Sequence, residues 1–188
     1  EAARYANPLT FLPGNIPIDI HMNRLLESDV PFHACYCDLN SFKPFNDVYG
    51  YWQGDKMIKL AAETLAEACD RQSDFLGHIG GDDFFILFQS PDWEARIRTA
   101  MAQFDASAVG LYTPADIKAG GIQSEDRHGN LRFYNFVTIA AGVVPVQAGA
   151  AIDTSVIATQ AAAAKRQAKR AGEKFFVCRE PFAVVACC

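Results

Sequence analysis

A predicted β-hairpin constrains this sequence more than any other feature. Two runs of apolar, β-prone residues, 75–79 and 84–88, flank the four residues Gly-Gly-Asp-Asp at 80–83. Glycines in a short connection between such runs are typical of a hairpin turn. Two adjacent carboxylates at its tip repel each other, and a bound cation would offset that repulsion. Gly and Asp are also common in ordinary solvent-exposed turns, so the hairpin alone leaves both interpretations open.

A polar stretch from Asp38 to Asp55 is the second candidate for a site. The apolar and aromatic run 32–39, FHACYCDL, fits a buried strand and puts Asp38 at its carboxyl end. A polar loop that contains Lys43 follows, and the spacing of apolar residues predicts an amphipathic helix over 55–68. The stretch is open to two interpretations: a binding loop, or an ordinary strand-loop-helix connection in which Asp55 caps the helix.

The remaining pattern predicts the fold class. The order of elements indicates an α/β (α+β) fold in which a central, mostly antiparallel sheet is flanked by helices. The other predicted elements are helices near 18–26, 92–104 and 155–171, strands over 133–146 and 174–178, and an exposed loop or two-stranded excursion over 113–132. The predicted organisation is one domain over 1–180, with a leading loop over 1–17 and a variable excursion over 113–132, followed by a C-terminal tail over 181–188.

Composition narrows the classes of partner. The chain has 188 residues, enough for a substantial core without disulfides, so its six cysteines are not needed as a scaffold. A net charge of −5 argues against a nucleic-acid partner, which calls for a basic face. Cys35 and Cys37 are predicted to be small core residues, and no role follows for Cys187 and Cys188. With no apolar run of membrane-spanning length, the chain is expected to be cytoplasmic.

Four motifs, taken in order, resemble the GGDEF domain of diguanylate cyclases, the enzymes that make cyclic di-GMP. Residues 38–55 read D-x-x-x-F-K-x-x-N-D-x-x-G-x-x-x-G-D, and G-G-D-D-F follows after 24 residues. N-P-L-T-F-L-P-G-N at 7–15 is similar to the family's D-x-L-T-G-L-x-N with one extra residue, and A-K-R-A-G at 168–172 is similar to A-K-x-x-G. The chain is therefore identified as a member with a GGDDF variant. The resemblance implies the nucleotidyl-cyclase-like GGDEF fold and a place at the C-terminus of a longer multidomain signalling protein.

The resemblance implies a role for each matching residue. Mg²⁺ or Mn²⁺ held by carboxylates and a backbone carbonyl would bridge the phosphates of GTP. A carboxylate at position 55 would accept both the N1–H and the 2-amino group of guanine, a pair of donors that adenine lacks. The implied metal ligands are Asp38, Leu39 (by its carbonyl) and Asp82; the catalytic residues are Asp38, Lys43, Asp82, Asp83 and Lys169; the substrate-binding residues are Ser41, Phe42, Lys43, Asn46, Asp55 and Lys169.

An R-x-x-D motif at 71–74 matches the family's inhibitory site. Arg71 and Asp74 are followed by five residues and then by the first glycine of the hairpin, which is the spacing found in the family. Arginine can pair with phosphate through two hydrogen bonds and can stack on guanine. The motif alone is also typical of a local ion pair, and its placement favours a site for cyclic di-GMP.

The resemblance implies an enzyme that condenses two GTP molecules into cyclic di-GMP with release of pyrophosphate. It would act as a homodimer, would be inhibited by its product, and would carry covalently attached regulatory or phosphodiesterase domains in a parent protein that could be membrane-attached. Two departures leave an alternative open: Asp83 stands where the family usually has Glu, and Glu173 where Arg is common. The alternative is a weak or degenerate GGDEF domain that binds GTP or cyclic di-GMP and regulates an attached phosphodiesterase domain.

Overall fold

A computed structural model describes residues 5–126 and 128–178. The predicted tail 181–188, with Cys187 and Cys188, lies outside the described residues. The helices are α1 (Asn15–Glu27), α2 (Phe42–Tyr49), α3 (Tyr51–Ala68), α4 (Trp93–Ala108), α5 (Pro114–Ala119) and α6 (Thr154–Ala171). The strands are β1 (Phe32–Asn40), β2 (Phe75–Gly80), β3 (Asp83–Phe88), β4 (Gly121–Glu125), β5 (Leu131–Asn135), β6 (Thr138–Val146) and β7 (Phe175–Val177). In the described part of the chain, no helix is both long and apolar enough to span a bilayer.

The main sheet has five strands in the order β2-β3-β1-β6-β7. Every pair in it is antiparallel except β6 and β7, which run parallel. The predicted mixed fold with a mostly antiparallel sheet is therefore confirmed. Because β1 lies in the centre and pairs on both sides, a side chain near its end is enclosed by neighbouring strands and by helices.

Helices cover both faces of the sheet because both faces are apolar. Cys35, Cys37 and Leu39 of β1 point to the face covered by α3 and α4. Alternate residues of β1 point the other way, and Ala34 packs in the second core with side chains of α1 and α6. The period-2 alternation of a strand therefore places Asp38 on the α1/α6 face.

Gly142 lets α6 approach the sheet closely. It lies on β6 opposite Tyr36 of β1. A Cβ atom at Gly142 would overlap the backbone of α6 at Ala161, Ala164 and Lys165. The missing side chain therefore sets how near the Lys165 backbone comes to the central strand.

Four local predictions were wrong. Residues 42–49 form α2 rather than a loop, because Phe42, Phe45 and Tyr49 make an apolar stripe and Phe45 is fully buried. Helix α3 begins at Tyr51, so Asp55 lies inside it and does not cap it. The hairpin turn has two residues between β2 and β3 instead of four. The strand predicted over 133–146 is split into β5, which pairs with β4 in a separate two-stranded sheet, and β6.

Candidate functional site

Three carboxylates meet where β1 and the β2–β3 hairpin end. Asp38 is 6% exposed. The register that pairs Cys37 with Phe84 places Asp38 beside Asp83, the first residue of β3. Asp82 precedes it in the turn and is close enough to interact electrostatically with both. Like charges this close disfavour one another's ionised forms, so positive charge nearby would stabilise the cluster.

Two lysines of α6 supply part of that charge. Lys165 Nζ lies 2.9 Å from Asp38 Oδ2 and 3.6 Å from Asp83 Oδ1. Lys169, one helical turn later, places its Nζ 2.7 Å from the same Oδ2 of Asp38. The ammonium of Lys165 also lies 4.5 Å from the centre of the Tyr36 ring, a favourable cation–π distance.

The second oxygen of Asp38 has no partner among the described residues. Asp38 Oδ1 is buried and accepts no hydrogen bond within the described part of the chain. Leaving a buried acceptor unsatisfied costs roughly 1–3 kcal/mol, more for a charged group. This oxygen is therefore available to a cation at no further loss of internal contacts.

The surroundings change the acidity of the hairpin carboxylates. Burial, and then the charges of Asp83 and Asp38, raise the pKa of Asp82. Burial also raises the pKa of Asp83, and Lys165 acts against this shift. The pKa of the neighbouring Tyr36 is raised to about 12, mostly by burial and then by the charges of Asp83 and Asp38. The ionised forms of Asp82 and Asp83 are therefore less stable in the folded chain than in water, and a bound divalent cation would stabilise them.

The His78 side chain holds the hairpin turn in place. Its Nε2 donates to the carbonyl of Gly81 at 2.9 Å, because a carbonyl can only accept. Its Nδ1 lies 2.8 Å from the Thr10 hydroxyl, and its backbone N–H donates to the carbonyl of Pro13. Burial lowers the pKa of this imidazole, which favours the neutral ring that these two contacts satisfy. The leading loop and the turn are therefore held together through one side chain.

The loop after β1 presents backbone donors at the start of α2. Ser41 has left-handed backbone angles, with φ of 61°, and precedes the first turn of the helix. The backbone N–H groups of Phe42 and Lys43 lie in the first turn and so have no intrahelical acceptor, and no side chain of the described residues caps this helix end. The Lys43 side chain is 73% exposed and pairs with Asp47 at 2.5 Å. Lys43 is thus near the loop but outside the carboxylate cluster.

Asn46 and Asp55 lie where α2 meets α3. The Asn46 side chain occupies the space that a Cβ atom on Gly54 would need, and the Phe42 ring lies 3.5 Å from the same point. Gly54 is buried, and Asp55, which follows it on α3, is partly buried. The close crossing of the two helices therefore brings the two predicted guanine-binding residues to one junction.

The two residues of the R-x-x-D motif differ in their surroundings. Arg71 is exposed. Asp74 accepts hydrogen bonds from the backbone N–H groups of Asp70, Gln89 and Ser90 and from the Ser90 hydroxyl. The Asp74 carboxylate is therefore already engaged in joining two turns.

A divalent cation fits the carboxylate cluster through few protein ligands. Among the described residues no three His, Cys, Asp or Glu side chains are grouped as a metal cage. The predicted set is smaller, with two carboxylates, Asp38 and Asp82, and the backbone carbonyl of Leu39. Mg²⁺ is usually held by one or two carboxylates together with water and substrate phosphates. The free Oδ1 of Asp38 suits such a site.

The structure brings some predicted residues together and adds three that the sequence analysis missed. Asp38, Asp82, Asp83 and Lys169 form one cluster, whereas Lys43, Asn46 and Asp55 lie around α2 and α3. The missed residues are Tyr36, His78 and Lys165. Tyr36 and Asp38 are two residues apart on one strand, and Lys165 and Lys169 are four apart on one helix, so each pair shares a face. These spacings are the sequence signal that could have placed Tyr36 and Lys165 at the site.

The chain matches one protein family along most of its length. A sequence model of the family described as "Diguanylate cyclase, GGDEF domain" matches residues 8–174. The chain is 37% identical over 71 residues to the diguanylate cyclase DgcP of Pseudomonas aeruginosa, covering 35% of this chain and 10% of that protein. It is 31% identical over 86 residues to the bifunctional diguanylate cyclase/cyclic di-GMP phosphodiesterase MucR of the same organism, covering 44% and 12%. The chain thus spans about a tenth of the length of these curated relatives.

Solved structures share the fold at low sequence identity. The GGDEF domain of DgcB from Caulobacter crescentus, solved in complex with c-di-GMP, superposes with a TM-score of 0.65 at 18% identity, covering 92% of this chain and 95% of that chain. The diguanylate cyclase SiaD of Pseudomonas aeruginosa, solved with its activator SiaC, gives a TM-score of 0.68 at 20% identity, covering 94% and 63%.

Proposed function

The chain belongs to the diguanylate cyclase GGDEF family, and on that premise we propose that it condenses two molecules of GTP into cyclic di-GMP. The observation that carries the proposal is the cluster of Asp38, Asp82 and Asp83 against two lysines, in which one oxygen of Asp38 has no partner within residues 5–126 and 128–178. Such a cluster contributes little to the stability of the fold, and it suits a divalent cation bound together with a nucleotide.

The reaction forms two phosphodiester bonds. In each step the 3′ oxygen of one GTP bonds to the α-phosphorus of the other. The bond from that phosphorus to pyrophosphate breaks, and the 3′-hydroxyl proton is lost. Two such steps close the ring and release two pyrophosphates. Because the described part of the chain has one such cluster, two copies would have to face each other, and we propose a homodimer as the reacting form.

The triphosphate is expected to lie between the start of α2 and the end of α6. The free backbone N–H groups of Phe42 and Lys43, with that of Ser41, would donate to phosphate oxygens. Lys43 is exposed and can exchange its pairing with Asp47 for a phosphate. Lys169, with a third of its side chain exposed, can turn from Asp38 to the terminal phosphate. Catalysis of this kind depends mainly on position and charge.

Asp38, Asp82 and the carbonyl of Leu39 would hold the cation, Mg²⁺ or Mn²⁺. When bound, it supplies positive charge that neutralises the phosphates and the hairpin carboxylates. Asp83 lies beside Asp38 and is paired with Lys165, so it would stand next to the site without holding the cation. His78 holds the turn in place through Gly81.

Guanine is expected at the junction of α2 and α3. Asp55 would accept the N1–H and 2-amino hydrogens of the base, and the amide of Asn46 would complete the contact. Asp55 lies inside α3 rather than at its start, so no capping role competes with this one.

A regulatory role is the second candidate. Relatives of this chain include the bifunctional MucR and the cyclic di-GMP phosphodiesterase PdeB of Shewanella oneidensis, 40% identical over 54 residues, 29% of this chain and 6% of that protein. In this role the domain, located in the cytoplasm, would bind GTP or cyclic di-GMP and regulate an attached phosphodiesterase domain. Arg71 is exposed for a phosphate, whereas the engaged carboxylate of Asp74 disfavours a large share in ligand binding.

A turnover assay tests the proposal. Purified chain is incubated with GTP and Mg²⁺, or Mn²⁺, and the products are separated by chromatography. Cyclic di-GMP and pyrophosphate are expected in a 1:2 ratio, at a rate that rises more steeply than linearly with protein concentration. Asp82→Asn should abolish product, whereas Glu63→Gln, the same chemical change on an exposed part of α3, should leave the rate unchanged. GTP binding without any product would favour the regulatory role instead.

A further inference from the structure

Lys165 is a cation held in the carboxylate cluster to which the proposed function assigns no contact with the nucleotide or the metal. Its side chain is 13% exposed, so its charge needs partners. It has three within reach: Asp38 Oδ2 at 2.9 Å, Asp83 Oδ1 at 3.6 Å and the face of the Tyr36 ring at 4.5 Å. The Lys165 backbone is also fixed in position by the close packing of α6 on Gly142.

The two lysines on Asp38 are unequal. Both contact Oδ2, and neither contacts Oδ1, which has no partner in the part of the chain that the structure describes. Lys169 is 33% exposed and has one carboxylate partner, whereas Lys165 is enclosed and touches two carboxylates and a ring. Of the two, Lys169 is the one that can leave for a phosphate. Lys165 is then the residue that still occupies Oδ2 while nucleotide is bound.

We propose that Lys165 is a positioning residue for the divalent cation, because it leaves Asp38 a single free oxygen. A carboxylate with one free oxygen binds a cation through that oxygen alone. Small cations with octahedral shells accept such ligands, whereas Ca²⁺ takes six to eight oxygens and often binds carboxylates through both. Lys165 therefore sets a preference against Ca²⁺. This inference rests on the proposed function, which supplies the cation and the nucleotide.

The preference has a distinctive dependence on nucleotide. Without nucleotide, Lys169 also covers Oδ2, so losing Lys165 changes little. With nucleotide bound, Lys169 is occupied elsewhere, and losing Lys165 frees both oxygens of Asp38. A merely structural role for Lys165 would weaken binding of every cation alike and would show no such dependence.

Electron paramagnetic resonance of bound Mn²⁺ tests this without turnover. Ca²⁺ is titrated into protein loaded with Mn²⁺, alone and with 3′-deoxy-GTP, which lacks the attacking hydroxyl. With the nucleotide, Lys165→Met should lower the Ca²⁺ concentration that displaces half the Mn²⁺ on the order of tenfold, the scale of losses of groups that orient metal ligands. Without it, the change should be under about twofold. Lys165→Arg, which keeps the charge, should behave as wild type.

Arg166→Met is the matched control, since it removes a positive charge from an exposed position on the same helix. Circular dichroism checks folding, and Lys165→Gln replaces the Met variant where that variant does not fold. Equal displacement curves for the Lys165 and Arg166 variants with nucleotide would overturn the inference. If the wild-type chain makes cyclic di-GMP and the two variants still give equal curves, only the inference about Lys165 is overturned. Wild-type chain that makes no cyclic di-GMP would instead count against the proposed function.

Discussion

Asp74 is expected to stabilise the fold whether or not a ligand binds beside it. Its Oδ2 accepts from the Asp70 N–H at 2.8 Å and the Ser90 hydroxyl at 2.5 Å. Its Oδ1 accepts from the N–H groups of Gln89 at 2.8 Å and Ser90 at 3.0 Å. These contacts tie the turn after α3 to the turn before α4. The carboxylate therefore holds the two turns together just beyond the paired ends of β2 and β3.

The size of the effect follows from the number of donors. Asp74→Ala removes the acceptor of three backbone N–H groups, and a buried donor left unsatisfied costs roughly 1–3 kcal/mol. Water can reach this half-buried site, so a total loss of about 3 kcal/mol is expected. In Asp74→Asn the amide oxygen can still accept from Gln89 and Ser90, and the amide nitrogen can donate to the Ser90 hydroxyl. Only the Asp70 contact is lost, at about 1 kcal/mol.

Urea unfolding followed by circular dichroism measures both variants. Arg71→Ala is the matched control from the same motif, and it should stay within about 0.5 kcal/mol of wild type because its side chain is exposed. Cyclic di-GMP binding is measured in parallel by calorimetry. Wild-type stability in Asp74→Ala, together with lost ligand binding, would refute the reasoning and assign Asp74 to the ligand site.

Three further predictions concern the site and its support. In Gly54→Ala the new methyl group displaces the Asn46 side chain, so the KM for GTP should rise several-fold; the melting temperature should not fall, because alanine favours the helix by roughly 1 kcal/mol. Gly142→Ala pushes against the backbone of α6, so urea unfolding should show a loss of at least about 2 kcal/mol. The raised pKa values of Asp82 and Asp83 mean that the folded chain binds their protons more tightly. In metal-free buffer, these two carboxyl groups should therefore make the free energy of unfolding fall as the pH rises from about 3.8, their ordinary pKa, through their raised pKa values. Asp82→Asn should reduce this slope, and urea titrations at several pH values check it.

The sequence was informative about the sheet and less so about the helices around the site. The apolar run that leads to Asp38 predicted a buried strand, because a strand enclosed on both faces shows no alternation, and the structure places that strand at the centre of the sheet. The glycine pair predicted the hairpin, although its turn is shorter than expected. Helix α2 was missed because the polar residues between Phe42 and Tyr49 masked an apolar stripe. Its burial depends on Tyr112, distant in sequence.

Contacts between distant segments account for what the sequence could not predict. Lys165 reaches Asp38 only because Gly142 brings α6 against the sheet, and no local pattern reveals that approach. The shared role of Thr10 and His78 likewise depends on the leading loop lying beside β2. The motifs predicted which residue types belong to the site, and packing decides which of them touch.

The carboxylate cluster is difficult to explain as part of the fold alone. Burial and mutual repulsion raise the pKa values of Asp82 and Asp83, so their ionised forms oppose folding at neutral pH. The paired lysines offset this only in part, and they leave Asp38 Oδ1 without a partner among the residues that the structure describes. Neutral or apolar side chains at these positions would give a more stable domain. A bound divalent cation contributes the missing charge and the missing partner together, which is why the cluster supports a nucleotide-and-metal site over a purely structural one.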